Sequence, residues 1–177
     1  IKHCRFYLGT DSGLMDVAEM FLKDTLLTNM VHWMFVYPLR KKDRGIYKHV
    51  YSKEHGRYLN FQEVLASGWG LQKVFGNIDD NYVLTENTAD DIKMAVTEYI
   101  HSQVSNDFSM TQNQLYVNTE RVSQAKEIYE ESNLRYDSDS LKESFEKYRV
   151  ASRVSIHTHG TICESYLQKY LHQSFSN

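Results

Sequence analysis

Residues 4–29 read CRFYLGTDSGLMDVAEMFLKDTLLTN, and the reading of this stretch decides the fold. His3 to Leu8 is a short strand-like run that stops at Gly9. From Gly13 the apolar residues Leu14, Val17, Ala18, Phe21 and Leu22 recur at i, i+3, i+4, i+7 and i+8, which is one face of a helix. After Lys23-Asp24, the run Thr25 to Thr28 returns to strand character. Strand, tight turn, short helix, strand is a βαβ unit, whose two strands are parallel. The Gly9-Thr-Asp-Ser-Gly13 turn then lies at the carboxyl end of a strand and the amino end of a helix, the edge at which open α/β sheets bind ligands.

Further along, 31–58 is aromatic and basic and follows neither period, so Val31 to Ser52 reads as a long loop with one extended segment. Asn60-Phe-Gln-Glu63 is a capping box opening a short helix through Leu65, broken by Ser67-Gly-Trp-Gly70. Tyr82 to Thr85 is a short apolar run. Asn87-Thr88 with Asp90 and Asp91 starts a helix, because acids in a first turn suit the helix dipole. Its stripe is Ile92, Ala95, Val96, Tyr99 and Ile100. Residues 103–118 are polar and read as loop. Helices are expected over 119–132, 139–151 and 163–172, making the C-terminal half all-helical. The domain reading is 1–103 as an α/β region, followed by 104–177 as a helical extension packing back on it.

Composition narrows the classes. The chain has 177 residues, 41% of them hydrophobic, enough to bury a core. A formal charge of -3 argues against a general nucleic-acid binder. Cys4 and Cys163 allow one disulfide, but two free thiols in a reducing cytoplasm are the preferred reading. No apolar run approaches the roughly 18 residues of a membrane span. The chain enters directly into a strand-like run without an initiating methionine, and the expectation is a C-terminal portion, or a processed piece, of a longer protein.

Three uses compete for the turn. Glycines with Asp or Ser can simply cap a helix. Ser12 as a nucleophile would need Gly-x-Ser-x-Gly, whereas Gly13 follows Ser12 directly. The third use is anion binding, in which first-turn amides meet a diphosphate that glycines allow to come close. Thr10 and Ser12 add hydroxyl donors, and Asp11 accepts from sugar hydroxyls. A nucleotide sugar would engage all of these groups. Neither a P-loop nor a Gly-x-Gly-x-x-Gly fingerprint is present.

These segments, with YLNFQEVL, ENTADDIKMAVTEYI and the closing ICESYLQKYL, resemble the C-terminal half of a family of bacterial glycosyltransferases of the GT-B type. In that family a strand ends in Gly-Thr/Asn-Asp-Ser-Gly, a second ends in Thr-Asn, and Asn-Thr-x-x-(Asp/Glu)-Ile opens a helix. Heptosyltransferases of lipopolysaccharide assembly carry a related turn. The resemblance covers residues 4–100 and about ten at the end, leaving 104–155 without a counterpart. Thr25 stands where the family has proline, and the loop at 32–58 is more aromatic and basic than the pattern.

The resemblance implies a Rossmann-like donor domain of a two-domain cytoplasmic enzyme of polysaccharide or glycolipid synthesis, peripheral to the inner membrane. The acceptor and catalytic base would come from an N-terminal domain of the same protein, and transfer would use no metal or other cofactor. It assigns Thr10, Asp11, Ser12 and Gly13 to the donor, with Asn29 lining the next strand's end.

Other residues have two readings each. Arg40, Lys41, Lys42 and Arg44 could meet a diphosphate, an acidic acceptor or lipid headgroups, or form a solvated loop; Arg40 and Lys41 are the candidates retained. Trp33, Phe35 and Tyr37 are a sugar platform or packing, and Asp16 and Glu19 are ribose contacts or helix solvation. His157-Thr-His159 lacks a third metal ligand at suggestive spacing. Two different classes stay open: a noncatalytic nucleotide-sugar-binding or protein-interaction module, and an epimerase-like domain, whose Asp-Ser-Gly-Gly turn differs at Leu14.

Overall fold

A computed structural model describes residues 1–10, 12–31, 38–66, 81–135 and 159–173, with 124–135 as backbone only. The opening stretch folds as its pattern predicts. Strand β1 (Phe6–Gly9), helix α1 (Gly13–Met20) and strand β2 (Asp24–Met30) form a βαβ unit, the strands parallel from Phe6↔Asp24 to Gly9↔Leu27. The helix is shorter than its apolar stripe. It ends at Met20, and Leu22 takes φ 53, so Phe21 and Leu22 lie in the turn and are exposed, as is Leu14. Ala18 alone on α1 is buried.

The stretch read as one long loop holds two strands. β3 (Arg44–Tyr47) pairs in parallel with β2, and β4 (His49–Ser52) starts a second sheet. Parallel strands are buried on both faces and do not alternate, so periodicity cannot reveal them. Arg44 and Gly45 further disguise β3. The Arg44 guanidinium is buried, donates to the carbonyls of Lys41, Asp43 and Phe108, and lies over the Phe108 ring. A Cβ on Gly45 would stand 2.3 Å from the Met30 sulfur.

The C-terminal region is not all-helical. Strand β7 (Thr161–Ile162) adds to β3, completing a parallel four-stranded sheet in the order β1-β2-β3-β7. At Gly160, just before it, a Cβ would stand 2.4 Å from the Pro38 carbonyl oxygen, a contact only glycine permits. The second sheet is antiparallel, with β4 between β5 (Arg57–Tyr58) and β6 (Tyr82–Thr85).

Helix α2 (Phe61–Ala66) opens with the expected box: the Glu63 amide donates to Asn60 and the Asn60 amide to Glu63, at 2.8 and 2.9 Å. Helix α3 (Ala89–Ser105) has a reciprocal box between Thr88 and Asp91 and packs on β2 and β3. The polar run after it is loop only to Thr111, because helix α4 (Gln112–Arg135) starts at Gln112. Over 112–123, where its side chains are described, Gln114, Val117 and Arg121 are buried, and two polar side chains of three hide the face from a hydrophobic reading. The helix expected over 139–151 lies outside the described residues. Helix α5 (Glu164–Tyr170) packs against α3 and α4. The core draws on Leu26, Leu27, Ile46, Tyr99, Val117, Ile162 and Leu167, from both sheets' surroundings and from both ends of the chain. The fold is therefore α/β, a parallel sheet flanked by helices and compatible with a Rossmann-like arrangement.

Candidate functional site

The turn after β1 sits at the carboxyl edge of the parallel sheet, facing outward. Thr10, Ser12 and Gly13 are exposed; Asp11 lies outside the described residues. Two bonds fix the turn from below, the Ser12 amide donating to the Thr10 carbonyl at 2.9 Å and the Tyr7 phenol to the same oxygen at 3.3 Å. Ser12 occupies the N-cap with extended backbone, φ -132 and ψ 170, yet its side chain makes no capping bond. The Met15 amide donates to the Ser12 carbonyl at 2.7 Å, while the serine hydroxyl supplies no acceptor to the first-turn amides. A Cβ on Gly13 would meet nothing within 4 Å among the described residues, so packing does not account for glycine there.

Asn29 is brought to the same edge, two residues beyond the Gly9↔Leu27 pair. It has φ 55, in the left-handed region that asparagine tolerates. Its amide donates to the Asn87 side-chain oxygen at 2.7 Å, and the Asn87 amide returns the bond at 2.6 Å. The Asn87 side chain also donates to the Tyr47 carbonyl at 2.6 Å. Asn29 thus clamps the start of α3 to the sheet edge beside the turn. Asn87, read from sequence only as part of a helix start, is the other half of that clamp.

Arg40 and Lys41 are not brought to this edge. They precede β3, at the amino edge, about 20 Å away along a seven-residue strand. The Arg40 guanidinium is held by Asp43 and the Lys23 carbonyl, while Asp43 also accepts from the Thr25 amide at 2.8 Å. Glu19 lies toward the same amino edge; burial and then the Asp43 carboxylate raise its carboxyl, with Arg40 opposing. Asp16 is exposed in the first turn of α1. Trp33, Phe35, Tyr37 and His157 lie outside the described residues. His159 is exposed, its amide donating to the Leu39 carbonyl at 2.8 Å. Among the described residues no group of three or more His, Cys, Asp or Glu is placed to hold a metal. Cys4 and Cys163 are both free thiols, and burial pushes the Cys163 thiol up.

A second constellation escaped the sequence reading. The His49 ring lies 4.6 Å from Tyr170 and 5.9 Å from Tyr166, and its Nε2 is 3.0 Å from Asp91 Oδ2. Asp91 also accepts from Tyr170 at 2.7 Å, Lys169 at 3.0 Å and Thr88 at 2.7 Å. Burial alone would raise this carboxyl, but donation from Tyr170, His49, Thr88 and Lys169 holds it well below the usual range. Burial, then Asp91, push the Tyr170 phenol up to about 12. The groups are those of acid–base chemistry, but His49 is 5% exposed and Asp91 2%. His49 and Asp91 are closed off while Thr88 and Lys169 are exposed, and the cluster ties β4, α3 and α5 together. Outside it runs an open groove of about 700 Å³ between α3 and α5, lined by Lys93, Met94, Thr97, His101, Ser165 and Lys169.

No protein-family model, curated protein or solved structure matches the chain. Among the described residues no helix is long and apolar enough to cross a membrane.

Proposed function

We propose that this chain is the donor-binding half of a glycosyltransferase of the GT-B type, holding a nucleotide-diphosphate sugar at the Gly9–Gly13 turn. One observation carries the reading: an exposed helix start at the carboxyl edge of a parallel sheet, whose N-cap serine spends no side-chain bond on the helix and whose first residue is a glycine that packing does not require. A plain helix cap would leave both features without a purpose. In the reading, the amides of Gly13 and Leu14 and the helix dipole meet the diphosphate, Thr10 and Ser12 donate to it, and Asp11 accepts from sugar hydroxyls. The clamp of Asn29 to Asn87 keeps the edge rigid around the donor. The acceptor glycan or glycolipid and the catalytic base belong to an N-terminal domain, and the enzyme works in the cytoplasm. Arg40 and Lys41 have no part in donor binding, because they stand at the opposite edge.

The test is calorimetric titration of the chain with UDP, GDP, CDP and ADP, one at a time and without metal. One nucleotide is expected to bind, and Gly13→Val is expected to abolish binding with the circular dichroism and melting temperature unchanged, since its side chain enters open space. Affinity that survives Gly13→Val, or binding to none of the four, would overturn the reading.

A further inference from the structure

The amino edge of the parallel sheet carries a feature that donor binding does not use. Met20, Phe21 and Leu22 close α1 and turn into β2, and they are 81%, 47% and 81% exposed. Single exposed apolar residues are ordinary on a surface, but three in succession at the tip of a turn are not. Leu22 also adopts φ 53, a conformation in which glycine or asparagine is more at home after a helix. The water around these side chains would favour other residues, and although the Leu22 and Lys23 amides are satisfied by the carbonyls of Glu19 and Ala18, the left-handed backbone at Leu22 would too.

The surroundings of the tip are basic. Lys2 and Arg5 precede β1, Lys23 follows the tip, and Lys41 and Lys42 precede β3, all at the same edge because the strands run parallel. Arg40 reaches across to the Lys23 carbonyl, which binds the β3 approach to the base of the tip. Helix α3 brings its C-terminal end here too. Gln103 donates to Asp24 at 3.1 Å, Lys42 to Asn106 at 2.9 Å, and Val104 beside them is 70% exposed. The edge also carries acids, of which Asp43 is paired with Arg40; Asp24 accepts from Gln103, Glu19 is half-buried, and Asp107 is exposed and accepts from Ser109, and the cations outnumber them.

We infer that this edge docks on an anionic lipid bilayer, Met20, Phe21 and Leu22 entering the interfacial layer and Lys2, Arg5, Lys23 and Lys41 meeting the headgroups. An apolar wedge ringed by lysine and arginine matches the two forces that hold a protein on such a surface, burial of apolar area and attraction to negative headgroups. Charge complementarity selects lipid over a second copy of this chain, whose matching edge would bring like charges together. The inference stands apart from the donor reading, because the tip is at the edge opposite the Gly9–Gly13 turn. Docked in this way, the turn faces the water and takes a soluble ligand.

The test is cosedimentation of the full chain with vesicles of phosphatidylcholine alone and of an equimolar mixture with phosphatidylglycerol. The mixed vesicles are expected to retain the protein and the neutral ones to release it. Leu22→Asn places a residue suited to the left-handed conformation, and Met20→Gln changes an exposed helix end, so the double variant keeps or raises its melting temperature. It is expected to lose at least about tenfold in partitioning, since the apolar wedge is gone. Lys41→Glu is expected to lose roughly fivefold or more on mixed vesicles. Absence of binding to mixed vesicles, equal binding to both, or retention by the double variant would each overturn the inference. So would self-association of the wild-type chain that the double variant abolishes while vesicles stay unbound, which would assign the edge to a contact between copies.

Discussion

Asp91 collects more bonds than any other carboxylate described here, from Tyr170, Lys169, His49 and Thr88, on elements far apart in sequence. Its folded pKa is depressed below the ordinary 3.8, so its contribution to stability is full above that value and is lost as the pH falls below it. The urea midpoint is expected to hold between pH 7 and pH 5 and to fall steeply from about pH 4 downward. Asp91→Asn is expected to lose about 2 kcal/mol at pH 7, because an amide accepts at one oxygen where the carboxylate accepts at both, while the exposed Lys169 ammonium stays screened by water. It should also flatten the acid limb of the midpoint curve; a variant with an unchanged acid limb would show that other carboxylates govern it. At the same scale, Gly13 was legible as a candidate from its place in the turn. His49 was not: a lone histidine in an aromatic and basic run carries no mark of the carboxylate it will meet.

Among the elements, those with local boundary signals were legible. Asn60 with Glu63 and Thr88 with Asp91 are boxes closed within four residues, and both helices start where they predict. Thr111 with Gln114 is a box of the same kind, with mutual bonds at 3.0 and 3.2 Å, and it would have found the start of α4 inside the polar run. Helix α5 is different. Its N-cap Cys163 makes no side-chain capping bond, and the amides of Glu164 and Ser165 donate instead to the Glu98 carboxylate of α3, at 2.8 and 2.7 Å. Glu98→Ala is expected to cost about 1–2 kcal/mol, the range of a lost cap, read as a shifted urea midpoint. A midpoint within experimental error of wild type would mean that packing alone holds α5. The cap comes from a distant helix, and no local pattern encodes it.

For the whole molecule, the C-terminal segment is part of the main fold. β7 pairs with β3, and Ile162, Cys163, Tyr166, Leu167, Tyr170 and Leu171 are all buried in the common core. A chain ending at residue 158 is expected to lose its sharp urea transition, since the central strand loses a neighbour and α3 loses the helix it packs on. A cooperative transition in that shortened chain would show that the remaining elements fold on their own.

The sequence by itself determined what neighbouring residues can decide: the βαβ unit from a helical stripe between two short strand-like runs, the capped helix starts, and the small, hydrogen-bonding turn between β1 and α1. Tertiary structure decided what depends on pairing across the chain. It placed β3 at the centre of the sheet despite Arg44 and Gly45, because Lys41, Asp43 and Phe108 carbonyls satisfy the buried guanidinium and Met30 fills the space beside the glycine. It put Asn29 at the edge of the Gly9–Gly13 turn and Arg40 and Lys41 at the other, because parallel strands gather their starts on one side and their ends on the other. The physical reason is range. Caps, turns and amphipathic stripes act over a few residues, whereas burial of a charge and the direction of a strand are fixed only when distant segments meet.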